Sequence, residues 1–147
     1  MKLTSSFDIS ASALTAQRLR MDVISSNIAN AETTRGRFVN GRWLPYTRKM
    51  VVMEPKSVTF SGALKQAMYG AGQGVKVTGI IEDQTPYKRV YNPGSPDADE
   101  QGYVLMPNVD VLKEMVDMIG ASRSYEANVT ALNASKAMFM KALEIGK

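Results

Sequence analysis

The sequence predicts an α+β protein in which long helices at the two chain ends pair as an antiparallel, coiled-coil-like layer around a small, irregular β-rich segment. Three observations predict it. Apolar residues recur at seven-residue intervals near both ends. All six prolines and all but two of the eleven glycines fall between residues 36 and 107. Within that middle stretch, short runs of β-branched and aromatic residues are bounded by turn chemistry.

The first stripe is Phe7, Leu14, Met21 and Ile28, with Ala11 and Ile24 beside it, and it predicts a helix over about residues 5–31. No Gly or Pro interrupts it, and Thr33-Thr34 followed by Gly36 ends it. Strands are expected at 51–53, 75–81, 87–91 and 103–106, with Asn92-Pro93-Gly94 and Ser95-Pro96-Asp97 as turns. A short helix is expected over 60–68. Pro107 closes this segment, and Asn108 or Asp110 can cap the next helix by accepting its unpaired N–H groups. That helix carries Val111, Met118, Tyr125, Leu132 and Phe139 at seven-residue spacing and runs to about Glu144, with Gly120 as its one weak point. At 1.5 Å per residue it is roughly 50 Å long, more than a small domain can bury along its whole length. The organisation is therefore 1–33, an N-terminal helix; 34–107, a β-rich or extended segment; and 108–147, a C-terminal helix.

Two paired helices share a single buried seam. Small residues on other faces, Ala16, Ala121 and Ala131 among them, let further helices approach. A lone helical hairpin buries too little area to offset chain entropy, so stability within an assembly is expected. Identical subunits joined head to tail make a ring or an open helical filament.

Composition narrows the chemistry. With 147 residues and 44% hydrophobic content, the chain can form one small domain with helical extensions. Ten Met against four Phe and one Trp point to adaptable packing. The absence of Cys and His excludes disulfides, thiol nucleophiles, imidazole bases and ordinary zinc sites. No catalytic, cofactor or metal residues are expected, and the protein is read as non-enzymatic. No apolar run reaches the length of about 20 residues that spans a bilayer, and the N-terminus lacks the apolar core of a cleavable signal. Taken alone, these features suggest a cytoplasmic protein.

Several motifs imitate functional sites and fail on detail. The stretch from Gly36 to Trp43 has Walker A spacing without its Lys or Ser/Thr, and Gly41 reads as a turn with Asn40. Gly70, Gly72 and Gly74 precede a strand rather than a helix, so they read as a hinge. Asp97, Asp99 and Gln101 resemble half of a calcium loop, but Asn108 stands where the closing Glu belongs.

Charge is unevenly placed. Five cations and no acid lie between Thr33 and Met53, and six acids against one Lys lie between Asp97 and Asp117. Two solvated surfaces account for this, as do complementary patches on neighbouring copies. The basic stretch, with Arg35, Arg37, Arg42 and Trp43, is expected to make outer protein contacts. A basic coiled-coil protein binding single-stranded nucleic acid is the alternative.

Three stretches together resemble the flagellar rod and hook axial proteins. Ser26-Asn27-Ile28-Ala29-Asn30-Ala31-Glu32-Thr33-Thr34-Arg35 resembles the Asn-rich motif that closes their N-terminal helix, with Arg35 where several relatives carry Gly. Val90 to Asp99, Gly102-Tyr103-Val104 and Pro107-Asn108-Val109-Asp110 resemble the central signature of the proximal rod branch. Glu114 to Ile119, Ala121 to Val129 and Leu132 to Lys136 resemble its C-terminal helix.

The resemblance implies a structural subunit of the proximal rod, the helical drive shaft that transmits motor torque. It implies export through the flagellar type III apparatus without signal cleavage, and an extracytoplasmic place in the basal body. The implied partners are copies of itself, the rod proteins FlgB, FlgF and FlgG, and the base protein FliE, with no nucleic acid and no membrane span. Phe7, Leu14, Met21, Ile28, Met118, Tyr125, Leu132 and Phe139 are expected at the helix seam and subunit interfaces. Asn27, Asn30, Thr33 and Thr34 are expected to bond backbone groups where the chain turns out of the helical layer.

Overall fold

The computed structural model describes residues 3–39, 41–56 and 74–145. The expected helix at 60–68, Asn40 of the expected turn, and most of the expected Gly hinge lie outside the described residues. The element order is α1 (Leu3–Ala29), β1 (Arg37–Val39), β2 (Arg42–Leu44), β3 (Lys49–Pro55), β4 (Val75–Glu82), β5 (Lys88–Tyr91), β6 (Tyr103–Met106) and α2 (Val111–Ile145). Among the described residues the fold is α+β, with helices at both ends and three small two-stranded sheets between them.

Each helix end has an identifiable cause. At the end of α1 the Asn30 amide donates to the Ser26 carbonyl at 2.9 Å, and the Ala31 N–H reaches back only three residues, to Ile28. The helix thus tightens and stops. At the start of α2, Asp110 rather than Asn108 is the cap: its Oδ1 accepts from the N–H groups of Leu112 at 3.1 Å and Lys113 at 3.4 Å.

The β1–β2 hairpin is an element that strand periodicity did not predict. It pairs Arg37 with Leu44, Phe38 with Trp43 and Val39 with Arg42, and three-residue strands are too short to show alternation. Gly41 has φ 79° immediately before Arg42, the left-handed backbone that a tight turn requires. β5 and β6 pair antiparallel from Lys88–Met106 to Tyr91–Tyr103. β3 pairs with β4.

The chain divides into two compact units, the first with residues from the start of α1 and the end of α2, the second with the end of α1 and the start of α2. The first comprises Met1–Arg20, Val52–Gly79 and Gly120–Lys147. Its buried helix positions are small: Ser10, Ala16 and Ala121. Here the Ser12 hydroxyl accepts from the Val75 N–H at 3.1 Å and donates to the Ile9 carbonyl at 2.7 Å, tying the start of β4 to α1. Gly74 comes so close that a Cβ there would collide with Ser12 Oγ.

The second unit comprises Met21–Val51 and Ile80–Ile119. It buries Val23, Ile24, Val104 and Val109, together with the polar side chains of Asn27 and Glu114.

The polar junction and the candidate assembly surfaces

Asn27, two residues before the end of α1, is 1% exposed, and so is Glu114 in the first turn of α2. Their burial is possible because the second unit satisfies them. The Asn27 amide pairs with the backbone of Lys49 as an adjacent strand would: Oδ1 accepts the Lys49 N–H at 2.9 Å and Nδ2 donates to the Lys49 carbonyl at 2.8 Å. Nδ2 also donates to Glu114 Oε2 at 2.9 Å, and Oδ1 accepts the Tyr46 hydroxyl at 3.0 Å. Two donors and two acceptor positions exhaust what an Asn side chain offers.

Glu114 Oε1 accepts from Arg48 Nε at 2.6 Å. The same guanidinium reaches Asp83 at 3.3 Å and Asp117 at 3.7 Å. One cation therefore sits among three carboxylates, one of them fully buried. A charge taken out of water is tolerated only when it is paired and hydrogen-bonded, and this one is both. Asn108 completes the junction by accepting the Arg48 N–H at 2.9 Å and donating to the Thr85 carbonyl at 3.1 Å. The Asp83 carboxyl is held below the usual carboxylate range, first by the Thr85 N–H and further by the Thr85 hydroxyl and Arg48.

A second tie lies at the surface. Thr34 Oγ1 donates to Asp97 Oδ2 at 2.9 Å and Arg35 Nε to Asp97 Oδ1 at 2.7 Å. Arg35 first, and then Thr34, hold the Asp97 carboxyl below its usual range. Arg37 stands 3.8 Å from Glu82, with both side chains exposed. Arg35, Arg37 and Arg48 thus pair with acids of their own unit. Of the two opposite charge fields legible in the sequence, Arg35 and Arg48 of the basic stretch meet Asp97, Glu114 and Asp117 of the acidic one inside one chain, while Arg37 meets Glu82 outside it. The acids at 97–101 occupy a turn in which Asp99 accepts the N–H groups of Gln101 and Tyr103.

The other expected site residues are placed as follows. Asn30 bonds Ser26, and Thr33 donates to Asn30 Oδ1 at 3.3 Å. Phe7, Leu14, Met21 and Ile28 are half-buried, beside the more deeply buried line of Ala16, Val23, Ile24 and Asn27. Met118, Tyr125 and Leu132 are half-buried and Phe139 is exposed. Trp43 is exposed and packs against Phe38 with ring centroids 5.1 Å apart.

Sequence reasoning did not single out Arg48, Asp83 or Glu114 as a site. Glu114 did leave a signal. It lies three residues after Val111 and four before Met118, on the apolar stripe of α2, where a carboxylate requires a buried partner.

Beyond the junction, α2 leaves large apolar side chains uncovered, among them Leu112, Val116, Met138 and Leu143. Among the described residues no group of side chains is arranged to hold a metal ion, and no helix is long and apolar enough to cross a membrane.

Residues 7–36 match the family model "Flagella basal body rod protein", and residues 100–145 match "Flagellar basal body rod FlgEFG protein C-terminal". The matched stretches hold the Asn27 and Glu114 sides of the junction respectively. The chain is 60% identical to the flagellar basal-body rod protein FlgC of Bacillus subtilis over 97% of both chains. It is 48% identical to FlgC of Escherichia coli over the full length of both, and 46% identical to FlgC of Borreliella burgdorferi over 99% of this chain and 98% of the relative. Helices at both ends around a small β insert, with matches at both ends, define a flagellar rod protein. The chain belongs to the FlgC family of flagellar basal-body rod proteins. Membership gives it a structural role in the flagellar basal body among other rod components, and nothing in the matches supports binding of nucleic acid.

Proposed function

We propose that this chain is a repeating, non-enzymatic subunit of the proximal rod, whose terminal helices are completed by the helices of neighbouring subunits. The observation that carries this reading is the apolar surface of α2, with Leu112 at 76% exposure, Val116 at 69%, Met138 at 62% and Leu143 at 57%. So much uncovered apolar surface on one helix marks an interaction site. In this reading Phe7, Leu14, Met21, Ile28, Met118, Tyr125, Leu132 and Phe139 supply seam and subunit contacts, each weak alone and numerous together. The polar junction fixes the angle at which the insert leaves the helical layer, and Arg42 and Trp43 face outward contacts.

The partners are other copies, the rod proteins FlgB, FlgF and FlgG, and FliE. The chain reaches them by type III export without signal cleavage. Leu132→Asp tests the reading, because it places a charge in the proposed seam. Cells carrying it are expected to be non-motile, with basal bodies that lack the chain, while normal motility would contradict the seam.

A further inference from the structure

We propose that the groove between the β1–β2 and β5–β6 hairpins receives the exposed face of the first two turns of α2 from a second copy of this chain. This rests on the rod-subunit reading and adds a specific contact to it. The groove has a volume of about 1050 Å³, and Trp43, Pro45, Tyr103 and Leu105 supply much of its apolar lining. Trp43 is 51%, Tyr103 38% and Leu105 40% exposed, so this lining is open to a ligand. Most charges near it are already matched: Asp97 by Arg35, and Asp99 by Arg89. The side chains of Arg42 and Glu100, which also line the groove, form no ion pair among the described residues. An apolar floor with one unmatched cation and one unmatched anion fits a ligand that carries an apolar stripe beside one acid and one base.

The chain itself carries such a surface. Leu112, Met115, Val116 and Ile119 stand at i, i+3, i+4 and i+7 on α2 and are 76%, 51%, 69% and 53% exposed. That spacing is one face of a helix, the form in which amphipathic helices enter grooves. Lys113 is exposed and flanks the stripe three residues before Val116, and Asp110 is exposed at the N-terminal end of the helix. Asp110 uses Oδ1 to cap the helix, which leaves Oδ2 to face Arg42. Lys113 has no ion pair among the described residues and faces Glu100. The groove and the stripe are different surfaces of the same unit, so a contact made with one neighbour on each side runs head to tail and propagates as a ring or helical filament.

The absence of cysteine makes the test direct. Cells co-express one copy carrying Leu105→Cys and another carrying Val116→Cys, and their purified basal bodies are mildly oxidised. A disulfide-linked dimer is expected from the mixture, and only background from either variant alone or from Leu105→Cys with Lys76→Cys. In the same mixture, Glu100→Lys on the groove copy is expected to lower dimer yield by about fivefold, through like-charge repulsion with Lys113. Lys113→Glu on the stripe copy is expected to restore it. Basal bodies that contain the chain but give no dimer above background overturn the contact and leave the rod reading standing. A cross-link from the groove to a different rod protein overturns the assignment to a second copy. Absence of the chain from basal bodies overturns the rod reading and this contact with it.

Discussion

Glu114 and Met115 are neighbours on α2 and meet opposite environments. The Glu114 carboxylate is 1% exposed and both its oxygens have partners within the chain, whereas Met115 is 51% exposed and belongs to an apolar stripe that runs from Leu112 through Val116 to Ile119. The usual arrangement is reversed: the charged side chain is inside and the apolar ones are outside. The polar junction is complete in a single chain, because a buried carboxylate without partners would be costly. The apolar stripe is incomplete in a single chain, because exposed apolar surface gains stability only when another molecule covers it. A subunit that must hold its own shape and still require neighbours needs both kinds of region.

Substitutions in the junction are therefore expected to act on the isolated protein. Arg48→Ala has the largest expected effect there, since it strands the buried Glu114 and leaves Asp83 and Asp117 facing it. The loss should be about 3 kcal/mol in urea unfolding followed by circular dichroism, and a loss below about 1 kcal/mol would break the distinction between the two regions. Asn27→Ala removes four hydrogen bonds but no charge, so its expected cost is smaller, about 2 kcal/mol by the same measurement.

Acid probes the second unit, at the junction and at the surface tie, more gently. Asp83 and Asp97 are lowered on folding, Asp83 chiefly by the Thr85 N–H and Asp97 chiefly by Arg35. A group lowered on folding contributes its stability fully above its unfolded pKa and loses it as pH falls through the folded one. The thermal midpoint should stay level down to about pH 5 and fall only in and below the aspartate range. A fall between pH 8 and 6 would contradict this, and with no His in the chain it would have no source in imidazole titration. The smallest effect is expected from Arg35→Ala. Its pair with Asp97 is exposed, with Arg35 at 52% side-chain exposure, so the thermal midpoint should hardly move.

The helices were legible because Phe7, Leu14, Met21 and Ile28, and Val111, Met118, Tyr125 and Leu132, repeat over several turns without Pro. The details of their burial were less so. On α1 the deepest described positions are Ser10, Ala16, Val23, Ile24 and Asn27, and a stripe of large residues draws attention away from a line that includes Ser, Ala and Asn. Asn27 was legible as part of a motif, but its partners were not. Lys49 lies 22 residues away, and Glu114 lies 87 residues away across the insert. Periodicity reports which face is buried, not which distant polar group is buried with it. The β1–β2 hairpin escaped because Arg37 to Leu44 holds only three residues per strand around Gly41.

The contrast between a junction completed within the chain and helix faces completed by neighbours is tested most directly by amide hydrogen exchange along α2. It would be measured on the dilute isolated chain and on the chain in purified basal bodies. The account predicts that amides around Glu114 are protected in both states, and that those from Leu132 to Glu144 are protected only in the rod. Equal protection along the whole of α2 in the isolated chain would contradict it.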